Sequence, residues 1–139
     1  MKSIITLKVR YSETDRMGIV YHANYYPWFE LGRIDLMEKV GFSYAGMEDN
    51  GLMMPLSETH CKYIRPCTFA DEVTVETVLV SVSAARCRFE YKVFKDGVLL
   101  AEGATVHAFV NSDLKVINIK KYFPRMWEAM NSVKEEKTC

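Results

Sequence analysis

Residues 11–26 of the chain read Tyr11-Ser12-Glu13-Thr14-Asp15-Arg16-Met17-Gly18-Ile19-Val20-Tyr21-His22-Ala23-Asn24-Tyr25-Tyr26. A strand-like alternation ends near Tyr11, a turn containing Asp15 and Gly18 follows, and Asn24 precedes the first strongly helical segment. The first N–H groups of a helix lack intrahelical partners and can polarise an oxygen atom. The segment therefore predicts a carboxylate and an amide donor on either side of one carbonyl group, which is suited to acyl-group hydrolysis.

The segments on either side fit a strand leading into a long helix. From Ile5 to Tyr11, apolar and polar residues alternate with the period of a half-buried strand. From Asn24 to Val40, apolar residues recur on one helical face, and Gly41 is a suitable stop. This helix would be about 25 Å long, enough to cross a small domain. Gly32 in its middle costs roughly 1 kcal/mol relative to alanine, so we expect a close approach of the helix to a sheet there.

The rest of the chain is predicted to be mostly strands. Asp96-Gly97 is a favoured hairpin turn. After a loop at 46–51, the predicted strands are Leu56–Ile64, Glu72–Val82, Arg86–Phe94, Val98–Val110 and Val116–Ile119. An amphipathic helix follows, with Phe123, Met126, Trp127, Met130 and Val133. Hairpin connections favour antiparallel pairing, so we expect an α+β fold in which a curled antiparallel sheet wraps around one long central helix.

Composition limits the classes of function. The chain has 139 residues, 49% of them hydrophobic, which fits a single domain over residues 1–139. Lys plus Arg equals Asp plus Glu at 18 each, so no overall basic field favours nucleic acid. Neither a signal peptide nor a membrane-spanning stretch is recognisable, and we expect a cytoplasmic protein without membrane insertion.

The metal-ligating residue types are scattered. Four cysteines, at Cys61, Cys67, Cys87 and Cys139, form no C-x-x-C pair, and we interpret them as reduced structural thiols. His60 and His107 fall on predicted strands without metal-ligand spacing, and we interpret both as structural. Asp15 and His22 alone supply too few ligands for a metal site. We therefore expect neither a metal nor another cofactor.

The motif Tyr11-x-x-x-Asp15-x-x-Gly18-x-Val20-Tyr21-His22-x-Asn24-Tyr25, followed by Phe29-Glu30-x-x-Arg33, resembles the hotdog-fold acyl-CoA thioesterases. The resemblance covers nearly the whole chain. It is to the 4-hydroxybenzoyl-CoA thioesterase type, which includes a bacterial enzyme associated with the Tol-Pal cluster. It implies a hotdog fold, a CoA thioester substrate, and a homodimer or homotetramer with active sites at the subunit interface. It also implies that Asp15 is catalytic and that a backbone amide near His22 polarises the thioester carbonyl.

Each candidate catalytic residue has a structural alternative. Asp15 is predicted to be a general base or nucleophile, although Asp is also common in turns. His22 is predicted to position substrate or transfer a proton, although it could only steady the loop. Tyr11 either orients Asp15 or packs against a neighbour. Gly18 is predicted to permit positive φ or a close approach of substrate.

Substrate binding requires local cations and an apolar pocket. Lys62, Arg65, Arg86 and Arg88 are candidates for the CoA phosphates, and the two arginines of 86 and 88 share a strand face. Candidates for the acyl pocket are Tyr25, Trp28, Phe29 and Met54, all of which also suit an ordinary core. Glu30 and Arg33 are three residues apart on the predicted helix, and we expect them to pair.

The sequence thus predicts an acyl-CoA thioesterase that releases a carboxylic acid and CoA. Two alternatives remain open at this stage. One is a hotdog hydratase or dehydratase acting on acyl chains. The other is a non-catalytic module that binds acyl-CoA or acyl carrier protein.

Overall fold

The computed structural model describes residues 1–135, so Cys139 lies outside the described residues. Its centre is a five-stranded antiparallel sheet in the order β1-β3-β4-β5-β2. The strands are β1 (Lys2–Lys8), β2 (Leu56–Tyr63), β3 (Glu72–Val82), β4 (Arg86–Lys95) and β5 (Val98–Ala108). The helices are α1 (Tyr25–Val40), α2 (Tyr44–Asp49), α3 (Ile119–Tyr122) and α4 (Pro124–Val133). The predicted α+β fold, a curled antiparallel sheet around one long helix, is confirmed.

The sheet buries the face that its alternating sequence predicts. In β3, Val73, Val75, Thr77 and Leu79 are fully buried, while the alternate residues at 74, 76 and 78 are partly exposed. The neighbouring strand β4 buries Phe89 and Tyr91 on the same face. The core therefore lies between this face and helix α1.

Helix α1 approaches the sheet closely at Gly32, as predicted. A Cβ atom at this position would lie 2.2 Å from Thr77 Oγ1 and 3.4 Å from Val75 Cγ1. One turn earlier, the ring of Phe29 stacks on that of Tyr91, with centroids 4.4 Å apart and planes 11° from parallel. The absence of a side chain at Gly32 is thus what lets the helix lie against the sheet.

Several element boundaries differ from those predicted. Strand β1 ends at Lys8 rather than Tyr11, because the Val9 N–H donates to the Asp71 carbonyl and a 3-10 turn begins at Tyr11. The predicted strand Val116–Ile119 is wrong: Val116 makes one isolated bridge with Val110, and Ile119 begins α3.

The predicted 46–51 loop is also largely helical. Helix α2 begins after Ser43, whose hydroxyl accepts a hydrogen bond from the Gly46 N–H at 3.0 Å. The end of α1 is as predicted, because Gly41 adopts a φ of 103° after Val40.

The cysteines within the described chain are free. Cys67 and Cys87 are buried, Cys61 is half-buried, and burial raises the pKa of all three thiols. Among residues 1–135, no helix combines the length and apolar composition needed to cross a membrane.

Candidate active site

Asp15 occupies a tight turn that reverses the chain before α1. The Asp15 N–H donates to the Ile19 carbonyl at 2.8 Å, and the Gly18 N–H donates to the Asp15 carbonyl at 3.0 Å. Thr14 and Val20 form an antiparallel bridge below the turn. Gly18 has a φ of 80°, the positive value that the sequence predicts. This small hairpin fixes the backbone on both sides of Asp15.

The Asp15 carboxylate has one engaged oxygen and one free oxygen. Oδ1 accepts a hydrogen bond from the Met17 N–H at 2.8 Å, an Asx-turn contact. Oδ2 has no hydrogen-bond partner within residues 1–135, and the side chain is only half-buried. Asp15 therefore serves the turn and also presents an oxygen that can accept a proton or attack a carbon atom.

Glu13 connects this hairpin to the start of α1. Its buried carboxylate accepts hydrogen bonds from Arg10 N–H and Trp28 Nε1, each at 2.8 Å. Its backbone carbonyl accepts from the Tyr21 N–H at 2.9 Å and from Asn24 Nδ2 at 2.7 Å. Glu13 lies two residues before Asp15 and bonds residues on both sides of His22. It therefore sets the position of one candidate group relative to the other.

His22 opens a 3-10 turn, His22–Asn24, that continues directly into α1. Among the described residues, no acceptor is bonded to the N–H groups of His22 or Ala23. The His22 carbonyl accepts a hydrogen bond from the Tyr63 hydroxyl at 2.8 Å. The imidazole is exposed and contacts the ring of Tyr21, with centroids 4.3 Å apart. The turn therefore offers two free amide donors beside an accessible side chain.

An aromatic layer lies beneath this turn. The Tyr25 ring lies 4.9 Å from that of Trp28 and 5.2 Å from that of Tyr63, measured between centroids. The Tyr25 hydroxyl lies 3.5 Å from Cys67 Sγ, and burial raises the pKa of this phenol. Trp28 is only 2% exposed, and Phe29 is fully buried. Within the described chain, these three residues support the site from below and offer little surface to a ligand.

Tyr11 lies at the rim of the site. Its side chain is 76% exposed, and its ring contacts Phe69 edge-on, with centroids 5.6 Å apart. The Tyr11 carbonyl accepts hydrogen bonds from the Thr14 hydroxyl and N–H. The bonds made by Tyr11 in the described chain do not reach the Asp15 carboxylate, so the packing alternative describes its contacts better.

The four candidate cations fall into two groups. Lys62 and Arg65 are exposed and flank Tyr63 at the end of β2. Arg88 lies in the row of the sheet that also contains Val106 and Glu58, near the other end of β2. Five residues of strand, about 17 Å, separate Glu58 from Tyr63. Arg88 is also paired with Glu90, Nε to Oε2 at 3.0 Å. The described chain therefore does not bring Arg88 together with Lys62 and Arg65.

Arg33 does not pair with Glu30, and that prediction is wrong. Its buried guanidinium donates from Nε to the Tyr44 hydroxyl at 2.7 Å and from Nη1 to the Tyr91 hydroxyl at 3.1 Å. Glu30 is exposed. Arg33 thus joins α1 to α2 and to the sheet.

A chain of buried hydrogen bonds continues from Tyr91 to His107. The Met54 carbonyl can only accept, so His107 Nδ1 carries the proton and donates to it at 2.9 Å. His107 Nε2 then accepts from the Thr105 hydroxyl at 2.9 Å, and that hydroxyl accepts from Tyr91 at 2.6 Å. Burial lowers the pKa of His107 to about 4. His107 is a neutral core residue with both ring nitrogens occupied, and Met54 is half-buried beside it.

Two surface grooves of about 490 Å³ lie away from Asp15 and His22. One follows the outer face of the sheet around Glu76, Arg88 and Glu102. The other lies between α2 and the start of α4, at the far end of α1. In the described part of the chain, no three His, Cys, Asp or Glu side chains come together in a way that could hold a metal ion.

Comparison with known proteins identifies relatives of this arrangement. Residues 9–130 match the family described as the Thioesterase-like superfamily. YneP of Bacillus subtilis, provisionally named an acyl-CoA thioesterase, is 33% identical over 93% of this chain and 95% of its own length. The acyl-CoA thioesterase YbgC of Haemophilus influenzae is 26% identical over 76% of this chain and 78% of its own.

Solved structures give the same result. A DHNA-CoA thioesterase from Staphylococcus aureus superposes with a TM-score of 0.91 at 36% identity, covering 95% of this chain and 90% of the other. The gentisyl-coenzyme A thioesterase BH1999 superposes with a TM-score of 0.80 at 26% identity, covering 87% and 98%. The similarity therefore extends over nearly the whole described chain, including the Asp15 turn and α1.

Proposed function

The chain belongs to the thioesterase-like superfamily and is a thioester hydrolase with the hotdog fold, and on this premise we propose that it hydrolyses an acyl-CoA to a carboxylic acid and CoA. One observation supports the assignment of the site. Glu13 connects two parts of the site by accepting hydrogen bonds from Tyr21 and Asn24. One part is the turn with the free Asp15 Oδ2, and the other is the helix start with the free N–H groups of His22 and Ala23. A base or nucleophile and an amide donor are thereby held by one short framework.

The reaction needs only these two groups and water. In the general-base route, Asp15 removes a proton from water, and the water oxygen attacks the thioester carbonyl carbon. In the nucleophilic route, Asp15 Oδ2 attacks that carbon, and water then cleaves the resulting anhydride. In both routes, the amides at His22 and Ala23 stabilise the negative oxygen, and the C–S bond breaks to release CoA thiolate, which takes up a proton.

The side chains around Asp15 have supporting roles in this proposal. The exposed imidazole of His22 positions the acyl-CoA beside the amides. Gly18 allows the turn to bring substrate close to Asp15, because its φ of 80° strains any larger residue. Tyr11 forms part of the rim through its contact with Phe69.

The free edge of β2 supports assembly as a homodimer. β2 pairs only with β5 in the described chain, and almost all of its residues are exposed, including Leu56 at 53%. A long exposed edge strand readily pairs with another chain. Antiparallel pairing of β2 with β2 of a second copy obeys two-fold symmetry and leaves no free edge there. Two such dimers can assemble further into a tetramer.

This pairing also brings the two groups of cations together. In an antiparallel β2 pair, the start of one strand lies beside the end of the other. Arg86 and Arg88 of a second copy would then approach Lys62 and Arg65, next to Tyr63. The CoA phosphates would bind between subunits, and Tyr25 and Trp28 would form the floor of the acyl pocket. A CoA substrate also fits the cytoplasmic location expected from the sequence.

Thiol release from a panel of aromatic and aliphatic acyl-CoAs tests the reaction. We expect stoichiometric thiol and carboxylic acid from at least one member of the panel. Binding of the same thioesters without thiol release would contradict hydrolysis and favour a binding module. Consumption of an enoyl-CoA with the thioester bond intact would instead indicate a hydratase.

A further inference from the structure

We propose that Tyr63 is a positioning residue for hydrolysis, whose hydroxyl orients and polarises the peptide group between His22 and Ala23. The inference rests on the proposed function, in which the amides of this turn stabilise the negative oxygen. It adds a residue from the edge strand β2, 41 positions away in sequence, to the machinery at the start of α1.

The direction of the hydrogen bond is fixed by chemistry. A backbone carbonyl can only accept, so the Tyr63 hydroxyl donates to the His22 oxygen over 2.8 Å. Burial and the neighbouring Cys61 raise the pKa of the Tyr63 phenol. The phenol therefore keeps its proton, and remains a donor, at any pH at which the enzyme would work.

The hydrogen bond acts on the amide through the peptide group itself. The His22 carbonyl and the Ala23 N–H belong to one planar, conjugated unit. A donor at the oxygen draws electron density towards it and makes the N–H a stronger donor, as in chains of cooperative hydrogen bonds. The Ala23 N–H has no acceptor in residues 1–135, so this added polarity is available to a ligand.

The surrounding structure holds the Tyr63 hydroxyl in place. Tyr63 ends β2 opposite Ala101, and the next two residues, Ile64 and Arg65, both donate their N–H groups to the Leu100 carbonyl. The Tyr63 ring contacts that of Tyr25 edge-on at 78° between planes. Backbone pairing below and ring packing beside it limit the motion of the hydroxyl, so the His22–Ala23 peptide has a fixed orientation.

Tyr63 can be altered without opening the core, because its side chain is 44% exposed. In Tyr63→Phe the ring and its contact with Tyr25 remain, and only the donor is lost. Tyr122→Phe is the matched control: that tyrosine is 62% exposed, and its ring lies under the Lys121 ammonium, 5.2 Å from the ring centroid.

The experiment compares kcat, KM and the thermal midpoint of wild type, Tyr63→Phe and Tyr122→Phe on one acyl-CoA. Loss of a direct oxyanion donor costs about 100-fold or more, so the loss of an indirect contribution should lower kcat about tenfold. We expect KM and the midpoint to stay at wild-type values for Tyr63→Phe, and all three quantities to stay unchanged for Tyr122→Phe.

Two results would overturn the inference. One is a wild-type kcat in Tyr63→Phe. The other is a fall in kcat accompanied by a matching rise in KM and a lower midpoint, which would indicate a purely structural role. Asp15→Asn, measured in parallel, tests the proposed function independently of the role of Tyr63. Full activity of Asp15→Asn would contradict the role of Asp15, whatever the result for Tyr63→Phe.

Discussion

The Glu13 carboxylate accepts a hydrogen bond from Trp28 Nε1 at 2.8 Å, in a buried position between the Asp15 hairpin and helix α1. The same carboxylate accepts the Arg10 N–H. A charged group in such a place is stable only while its donors are present. The pair therefore determines both the stability of the junction and the position of Asp15 relative to α1.

Trp28→Phe tests this relationship. The change removes one donor and leaves the Glu13 oxygen buried, which should lower the free energy of unfolding by about 1–3 kcal/mol. Urea unfolding measures the loss. Trp127→Phe serves as the control, since the Trp127 indole is half-exposed and contacts Lys120 through its ring face. Equal stability losses in the two variants would contradict a special role for the Glu13–Trp28 bond.

Gly32→Ala should destabilise the protein, although alanine is the better helix former. The new Cβ would lie 2.2 Å from Thr77 Oγ1, and relief of this clash requires the helix or strand to move. Overpacking of this kind costs about 1–3 kcal/mol, more than the roughly 1 kcal/mol gained in helix propensity. Thermal or urea unfolding shows whether the substitution lowers or raises the free energy of unfolding.

Thr77 allows a coupled test of the same contact. Thr77 Oγ1 is buried without a hydrogen-bond partner. Thr77→Val should therefore leave stability unchanged or raise it by about 1 kcal/mol. Gly32→Ala should cost less in a Thr77→Ala background, because the clashing atom is gone. Additive effects of the two alanine substitutions would show that the helix is held away from the sheet by something else.

Acid should destabilise the fold through His107. Its folded pKa of about 4 is below the ordinary value of 6.5, so the unfolded chain binds more protons between these pH values. The free energy of unfolding contributed by this group is fully present above pH 6.5 and is lost as the pH falls towards 4. The loss is on the order of 3 kcal/mol at most.

Denaturant unfolding between pH 4 and 6.5 measures how steeply the free energy of unfolding changes with pH in wild type and His107→Gln. We expect a shallower slope in the variant, which loses the titrating group. His60→Gln, altered at an exposed position of β2, should keep the wild-type slope. Identical slopes in wild type and His107→Gln would exclude His107 as the source.

The active site proposed between two subunits predicts complementation between two defective variants. Asp15→Asn removes the proposed base or nucleophile, and Arg86→Ala/Arg88→Ala removes the proposed phosphate contacts. In a random mixture of subunits, half of the dimers are mixed, and one of the two sites in each is intact, so roughly a quarter of the activity should return. The turnover rate at low acyl-CoA concentration measures the activity recovered in the mixture.

A mixture of Asp15→Asn with Asp15→Ala is the control and should recover nothing. If Arg86 and Arg88 served the Asp15 of their own protomer, the first mixture would also stay inactive. That outcome would contradict the interface proposed for the CoA phosphates.

Local periodicity predicted most of the fold. The helix expected over Asn24–Val40 is α1 with one residue fewer, and β3 has the predicted bounds, because both segments have a regular apolar pattern. The close approach at Gly32 followed from the cost of glycine inside a helix. The early end of β1 could not be predicted, since it depends on the bond between Val9 and Asp71, 62 positions apart in the chain.

The geometry of the candidate site was predictable where the residues are close in sequence and unpredictable where their contacts are distant. Asp15, Gly18 and His22 lie in one turn-rich segment. The partners of Arg33 were missed because Tyr91 is 58 residues away. Glu13 was also missed, because a glutamate in a polar segment is normally exposed. The available signal was a glutamate 15 residues before a tryptophan in the first turn of the predicted helix. This spacing indicates a hydrogen bond only when the structure shows the two side chains in contact.

The most direct test of the central claim is thiol release by wild type and Asp15→Asn on the acyl-CoA that wild type cleaves best. The Met17 N–H that donates to Asp15 Oδ1 can still find an amide oxygen, so the folded variant should keep the turn and the thermal midpoint of wild type. Because the amide cannot act as a base, kcat should fall by about 100-fold or more while KM changes little. Full turnover by a folded Asp15→Asn variant would contradict the account.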